Sequence, residues 1–144
     1  PGGQHRNRKA TACTMTHTPT GVSGEATERR RQSENRRLAL HRLRRALAVE
    51  LRTEAPSNGR APSSLWLERR NGNALAVNPK HEDYPALLCE ALDVVHGTDH
   101  DLAAAAEMLG VSRTQLTRLI ADSRPAFSWL NEQRRARDLG VLKG

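Results

Sequence analysis

The chain opens on Pro1-Gly2-Gly3-Gln4-His5-Arg6-Asn7, the stretch whose residue types best suit chemistry on another molecule. Two successive glycines carry no Cβ, so their backbone can take positive φ and another molecule can approach it closely. Gln4 adds an uncharged amide with two donors and an acceptor, beside its own backbone N–H. Arg6, Arg8 and Lys9 follow and suit a polyanion. A Gly-Gly pair alone is a turn; its neighbours decide whether it is more.

Other candidate chemistry is sparse. Cys13 and Cys89 lie far apart without metal-ligand spacing, and read as reduced, half-buried residues of an intracellular protein. His96 and His100 are four apart with Asp99 between them, but Gly97 interrupts the stretch, so they read as exposed loop residues. No metal site and no cofactor is expected. Ser23 and Ser33 supply hydroxyls, yet no Ser-His-Asp arrangement can be read from spacing. No run approaches about 18 apolar residues, so no membrane span and no membrane partner is expected.

The elements that must position the first loop follow it directly. Residues 10–17 have strand character, with Cys13, Met15 and His17 on one face and Thr14 and Thr16 on the other. Thr18-Pro19-Thr20-Gly21 is a turn, and Val22–Thr27 returns as a second strand that Gly24 weakens. From about Glu28 to Arg52 the pattern predicts one long helix. Leu40, Leu43, Leu47 and Leu51 form its apolar stripe, widened by Leu38, Ala39 and Ala46.

Charge is divided unevenly along the chain. Its net charge is +7, but residues 1–60 hold 13 Arg and Lys against 5 Asp and Glu, a balance of +8. Residues 61–144 hold 10 against 11, a balance of −1. On the predicted helix Arg29, Arg30, Arg31, Arg36, Arg37, Arg42, Arg44, Arg45 and Arg52 so outnumber glutamate that the isolated helix would repel itself. A phosphate backbone that neutralises them accounts for the run better than a solvated face does.

These residues carry a resemblance. Gly2-Gly3-Gln4 with Asn7, then Thr16-His17 and Pro19-Thr20-Gly21, then Arg30, Gln32 and Asn35 stand in one ungapped register. Residues 1 to about 52 resemble the catalytic domain of class I peptide chain release factors and of their codon-independent ribosome-rescue relatives. Arg31 stands where the family has Ser. The strand that precedes the loop in the family lies before Pro1, so a truncated family domain is expected, with an unpaired edge on the strand from Ala12.

The resemblance implies that the loop enters the peptidyl-transferase centre of the ribosome and promotes hydrolysis of the peptidyl-tRNA ester, with Gly2, Gly3 and Gln4 as the catalytic residues. Ester hydrolysis passes through an oxyanion, and a preorganised backbone N–H such as that of Gln4 is suited to hold it. The Gln4 side chain would then shape the space that admits water. His5, Arg6, Asn7, Arg8 and Lys9, with Arg29, Arg30, Arg31, Arg36, Arg37 and Arg44, are the expected RNA contacts; His17 reads as a structural residue. Implied partners are large-subunit rRNA, peptidyl-tRNA and a glutamine methyltransferase acting on Gln4, in the cytoplasm.

Residues 53–64 are a linker by composition, holding Pro56, Gly59 and Pro62. Beyond it, Asn71-Gly72 either turns a tight hairpin or ends a helix running through Arg70. Pro85 opens a helix to about Val95 with Leu87, Leu88, Ala91, Leu92 and Val95 on its stripe. Asp99 or Asp101 caps the next, Leu102–Leu109, which Gly110 stops. Ser112 starts a third helix to about Ala121, and Ser123 and Pro125 a fourth to about Arg137.

Residues 103–120 resemble a bacterial helix-turn-helix, in which Arg113, Gln115, Thr117 and Arg118 would face outward. The balance of −1 gives this half little non-specific attraction for nucleic acid, leaving protein docking or a structural role open beside it.

The expected fold class is therefore α+β: a release-factor domain over residues 1–52 built of a hairpin and a long basic helix, a linker over 53–64, and a helical unit over 65–144. The expected activity is codon-independent rescue of stalled ribosomes, because nothing upstream of the loop reads a stop codon and the second half does not resemble the family's codon-reading domain. The basic tail by which rescue relatives sense an empty mRNA channel is not expected here, since Arg134, Arg135, Arg137 and Lys143 are interrupted by Asp138. The alternative is a non-catalytic nucleic-acid-binding regulator acting through the helix-turn-helix.

Overall fold

In the first unit, Pro1–Glu50, a short antiparallel hairpin lies on one long helix. The computed structural model describes residues 11–53 and 62–144. Strand β1 (Cys13–Thr16) pairs with β2 (Ser23–Ala26), Cys13 opposite Ala26 and Thr16 opposite Ser23. Cys13 and Met15 are half-buried while Thr14 and Thr16 are exposed, the alternation that period two requires. Gly21 closes the connection at φ 75°, its N–H donating to the His17 carbonyl at 2.8 Å. The Nδ1 of His17 sits 2.8 Å from the Thr20 hydroxyl, so this histidine holds the turn.

Helix α1 (Gln32–Glu50) begins four residues later than the sequence pattern predicts. The reason is Asn35, fully buried on its first turn. Its Oδ1 accepts from the Arg29 N–H at 3.0 Å, and its Nδ2 donates to the carbonyls of Arg29 (3.0 Å) and Thr11 (2.8 Å). One side chain thus occupies both backbone groups of Arg29 and withholds them from a helix. The buried line runs Asn35, Ala39, Leu43, four residues apart, and Leu40 is 45% exposed. Neighbouring residues on a helix point about 100° apart, so a narrow hairpin that covers Ala39 leaves Leu40 in solvent.

Gly24 is the contact point rather than a weak spot in β2. A Cβ placed there would collide with the Ala39 carbonyl and the Leu43 backbone. Its lack of a side chain is what allows strand and helix backbones to meet.

In the second unit, Leu51–Gly144, each reading around Asn71-Gly72 holds in part: the helix stops one residue early, at Arg69, and the hairpin turns one residue late, with Asn71 paired to Ala74. Helix α2 (Ser64–Arg69) comes first, capped by Ser63, and a minimal hairpin of β3 (Arg70–Asn71) and β4 (Ala74–Leu75) follows. Its turn is made by Gly72, at φ 61°, and Asn73. Trp66 on α2 is fully buried and donates its indole N–H to the Leu109 carbonyl at 2.8 Å.

Helix α3 (Tyr84–Gly97) is the centre of this unit, burying Leu87, Leu88, Ala91, Leu92 and Val95, the five residues of the predicted stripe. The Tyr84 hydroxyl donates to the Leu119 carbonyl at 2.7 Å. Asp101 caps α4 (Leu102–Leu109) by accepting from the Ala104 N–H. Gly110 stops α4 at φ 67°. Ser112 caps α5 (Arg113–Ala121) and Ser123 caps α6 (Arg124–Ala136), each accepting an N–H from three residues on. The Ser112 N–H also donates to the Asn73 carbonyl at 2.8 Å, tying the hairpin turn to the α4–α5 connection.

The chain end returns along α6. Asn131 accepts from the Leu142 N–H and donates to the Leu142 carbonyl, and buried Arg134 donates to the Gly140 carbonyl at 2.7 Å. The described residues form two small antiparallel sheets and a helical majority, and the fold class is α+β. Among the described residues no helix is long and apolar enough to cross a membrane.

Candidate functional site

The catalytic candidates Gly2, Gly3 and Gln4, and the RNA-contact candidates His5, Arg6, Asn7, Arg8 and Lys9, lie outside the described residues. What the structure describes is the frame directly after them. Thr11 donates its hydroxyl to the Arg29 carbonyl at 3.1 Å, and its own carbonyl accepts from Asn35. The chain leaving the loop is therefore bonded to the turn that starts α1. Arg29, Arg30 and Arg31 stand at that turn, all exposed.

Arg36 and Arg37, on the first turns of α1, are exposed as well, and Arg44 is half-buried further along. None of Arg29, Arg30, Arg31, Arg36 and Arg37 forms an ion pair with a described carboxylate. Arg42 differs: it pairs with Glu28 and donates to the Glu25 carbonyl at 2.7 Å. Hydrogen bonds from Arg42 and from the Thr27 N–H hold the Glu28 carboxyl well below the usual carboxylate range, at about 2. One arginine thus braces the hairpin against the helix, while the other five stand exposed without an ion pair to a described carboxylate.

Residues 1–73 match the family model of the RF-1 domain, the class I release factor domain. The chain belongs to this family. No curated protein and no solved structure matches it. The RF-1 match takes in Gly2-Gly3-Gln4, the hairpin, α1, α2 and the turn at Gly72-Asn73. Asn35, which fixes the start of α1, and Gly24, which fixes its approach, both fall inside the RF-1 match.

The four residues of α5 singled out by sequence do not share one face. Arg113 and Arg118 are exposed, Gln115 and Thr117 half-buried. Thr117 lies one turn beyond Arg113 and bonds its hydroxyl to the Arg113 carbonyl at 2.9 Å. Gln115 and Arg118 fall on the other side and line a cleft of about 470 Å³. Arg69, Asn78, His81 and Asp122 complete its polar rim. Three of these, Arg69, Asn78 and His81, carry no local sequence signal. The loop from Leu75 to Asp83 brings Asn78 and His81 to α5, and Arg69 reaches the cleft from the end of α2.

His96 and His100 part company. His96 is exposed on the last turn of α3, while His100 is fully buried against Trp129, ring centroids 5.2 Å apart. The expectation of an exposed loop fails for His100 because Asp99 and His100 both take positive φ, 52° and 65°, which turns the imidazole inward. Among the described residues neither ring nitrogen has a hydrogen-bond partner. Burial first, then the nearby Arg137 charge, pushes its pKa down to about 4, so the ring is neutral at pH 7.

Both cysteines are free and half-buried. Burial and the Asp93 carboxylate push the Cys89 thiol up to about 11, which suppresses the reactive thiolate. Among the described residues no cluster of His, Cys, Asp and Glu has the makings of a metal site.

Proposed function

We propose that this RF-1 family protein promotes hydrolysis of the peptidyl-tRNA ester on the ribosome, and does so without reading a stop codon. The observation that carries the reading is the RF-1 match, which spans Gly2-Gly3-Gln4 together with the hairpin and helix behind them. In this reading the Gln4 backbone N–H holds the oxyanion and its side chain confines the attacking water. Ribosomal RNA and tRNA phosphates meet His5, Arg6, Asn7, Arg8 and Lys9 and the exposed arginines at the start of α1. The Thr11–Arg29–Asn35 bonds support this arrangement, because they tie the loop exit to those arginines. Cytoplasmic location and methylation of Gln4 by a glutamine methyltransferase belong to the same proposal.

The second unit is proposed as an RNA-contacting tether built on a helix-turn-helix. Helices α4 and α5, joined through left-handed Gly110, support it. Codon independence rests on the second half's lack of resemblance to the family's codon-reading domain, and one assay separates it from ordinary termination. Peptide release is followed on ribosomes carrying P-site peptidyl-tRNA, with mRNA ending in the P site, extending past it with a sense codon, or extending with a stop codon. Release from the first complex alone is the expected result. Release confined to the stop-codon complex would replace rescue with termination, and binding without release from any complex would favour the non-catalytic regulator.

A further inference from the structure

We infer that the cleft between α5 and the loop from Leu75 to Asp83 binds one unpaired nucleotide. This deepens the RNA-contacting role proposed for the second unit and is independent of ester hydrolysis by the loop. The cleft, about 470 Å³, is within the size range of small-molecule sites. Leu75, Ala76, Val77 and Leu119 give its lining apolar surface against which the face of a base can pack.

The rim supplies the rest of the chemistry. Arg118 is exposed and makes no ion pair with a described carboxylate, so it is the cation free to take a phosphate. Arg69 is already answered by Asp83 at 2.8 Å. The Nδ1 of His81 lies 3.0 Å from the Asp83 N–H, and both ring nitrogens lie 3.1 Å from the Arg69 guanidinium, so this imidazole is held in place by the cleft's own residues. Asn78 and Gln115 bring amides, groups that pair with base edges through a donor and an acceptor together. Asp122 can accept from an exocyclic amine.

Charge decides against larger or more acidic occupants. Residues 61–144 balance to −1, so a long phosphate backbone finds no extended field here. An acidic peptide would meet Asp122 as well as Arg118. A single phosphate with a base attached satisfies the unanswered Arg118 guanidinium, the amides and the apolar lining together.

The test is residue-resolved amide NMR on the full chain, titrated separately with AMP, inorganic phosphate, a single-stranded RNA octamer and an Asp/Glu-rich octapeptide. AMP is expected to shift Ala76, Val77, Asn78, Gln115 and Leu119, and to bind more tightly than inorganic phosphate. Arg118→Ala should weaken AMP binding in the cleft about tenfold, whereas Arg113→Ala on the other side of α5 should change it less than about twofold. Tryptophan fluorescence from Trp66 and Trp129 checks that both variants remain folded. Shifts with the octamer assign the nucleotide to an RNA strand; shifts with AMP alone assign it to a free nucleotide. No cleft shift with either, binding of phosphate as tight as AMP, or the peptide as the best ligand would each overturn the inference.

Discussion

Gly24 on β2 meets Ala39 on α1 backbone to backbone, with no space between them for a methyl group. That contact sets the distance between the hairpin and the arginine-bearing helix. Gly24→Ala must push the two elements apart, at about 3 kcal/mol or more, the upper range for overfilled cores. Both tryptophans belong to the second unit, so fluorescence is blind to this change. Hydrogen exchange of the α1 amides from Ala39 to Ala48 measures it, and faster exchange confined to the first unit is expected.

Asn35 is the second brace of that unit. Asn35→Ala removes four hydrogen bonds and leaves the Arg29 N–H without its acceptor, a loss of about 2–3 kcal/mol. Asn35→Asp keeps the acceptor for the Arg29 N–H but turns a carboxylate oxygen toward two carbonyls. It should be at least as destabilising at pH 7 and recover part of the loss in mild acid. Far-UV circular dichroism during thermal unfolding checks both.

Acid should loosen the first unit through Glu28. Its folded pKa, about 2, lies below the ordinary 4.5 because Arg42 holds the carboxylate. A depressed carboxylate contributes stability that is complete above 4.5 and lost as pH falls through about 2. The pair is exposed, so its contribution is small and screened by salt. Glu28→Gln should flatten the pH dependence of α1 hydrogen exchange between pH 5 and 2 at low salt; an unchanged slope would remove Arg42 from this role.

The second unit responds to acid through His100 instead. Its folded pKa is pushed from 6.5 to about 4, so the unfolded chain takes up a proton first. Stability is then full above pH 6.5 and falls between 6.5 and 4, by roughly 3 kcal/mol if the whole shift is expressed. Trp129 packs on the ring and reports the transition. Urea unfolding followed by tryptophan fluorescence should lose most of this slope in His100→Gln.

Legibility in the sequence followed the range of the interactions. The caps Asp101, Ser112 and Ser123 and the stop at Gly110 act within a few residues, and they stand where the sequence places them. The stripe of α3 is equally local. Gly24 read as a strand weakener because its partner α1 lies far along the chain. The start of α1 was displaced by a buried side chain, Asn35, that composition ranks as merely polar. His100 was missed because its burial depends on positive φ at two consecutive residues that are not glycine. The cleft residues Arg69, Asn78 and His81 belong to no motif and meet α5 only through the fold.

The central claim is that the loop acts through the backbone N–H of Gln4. Peptide release from stalled ribosomes by Gln4→Pro and Gln4→Ala variants tests it most directly. Proline removes the N–H and alanine keeps it. The account predicts release abolished in the proline variant, with a loss of at least about 10² in rate, and partial release retained with alanine. A proline variant that releases peptide as fast as the parent protein would contradict it.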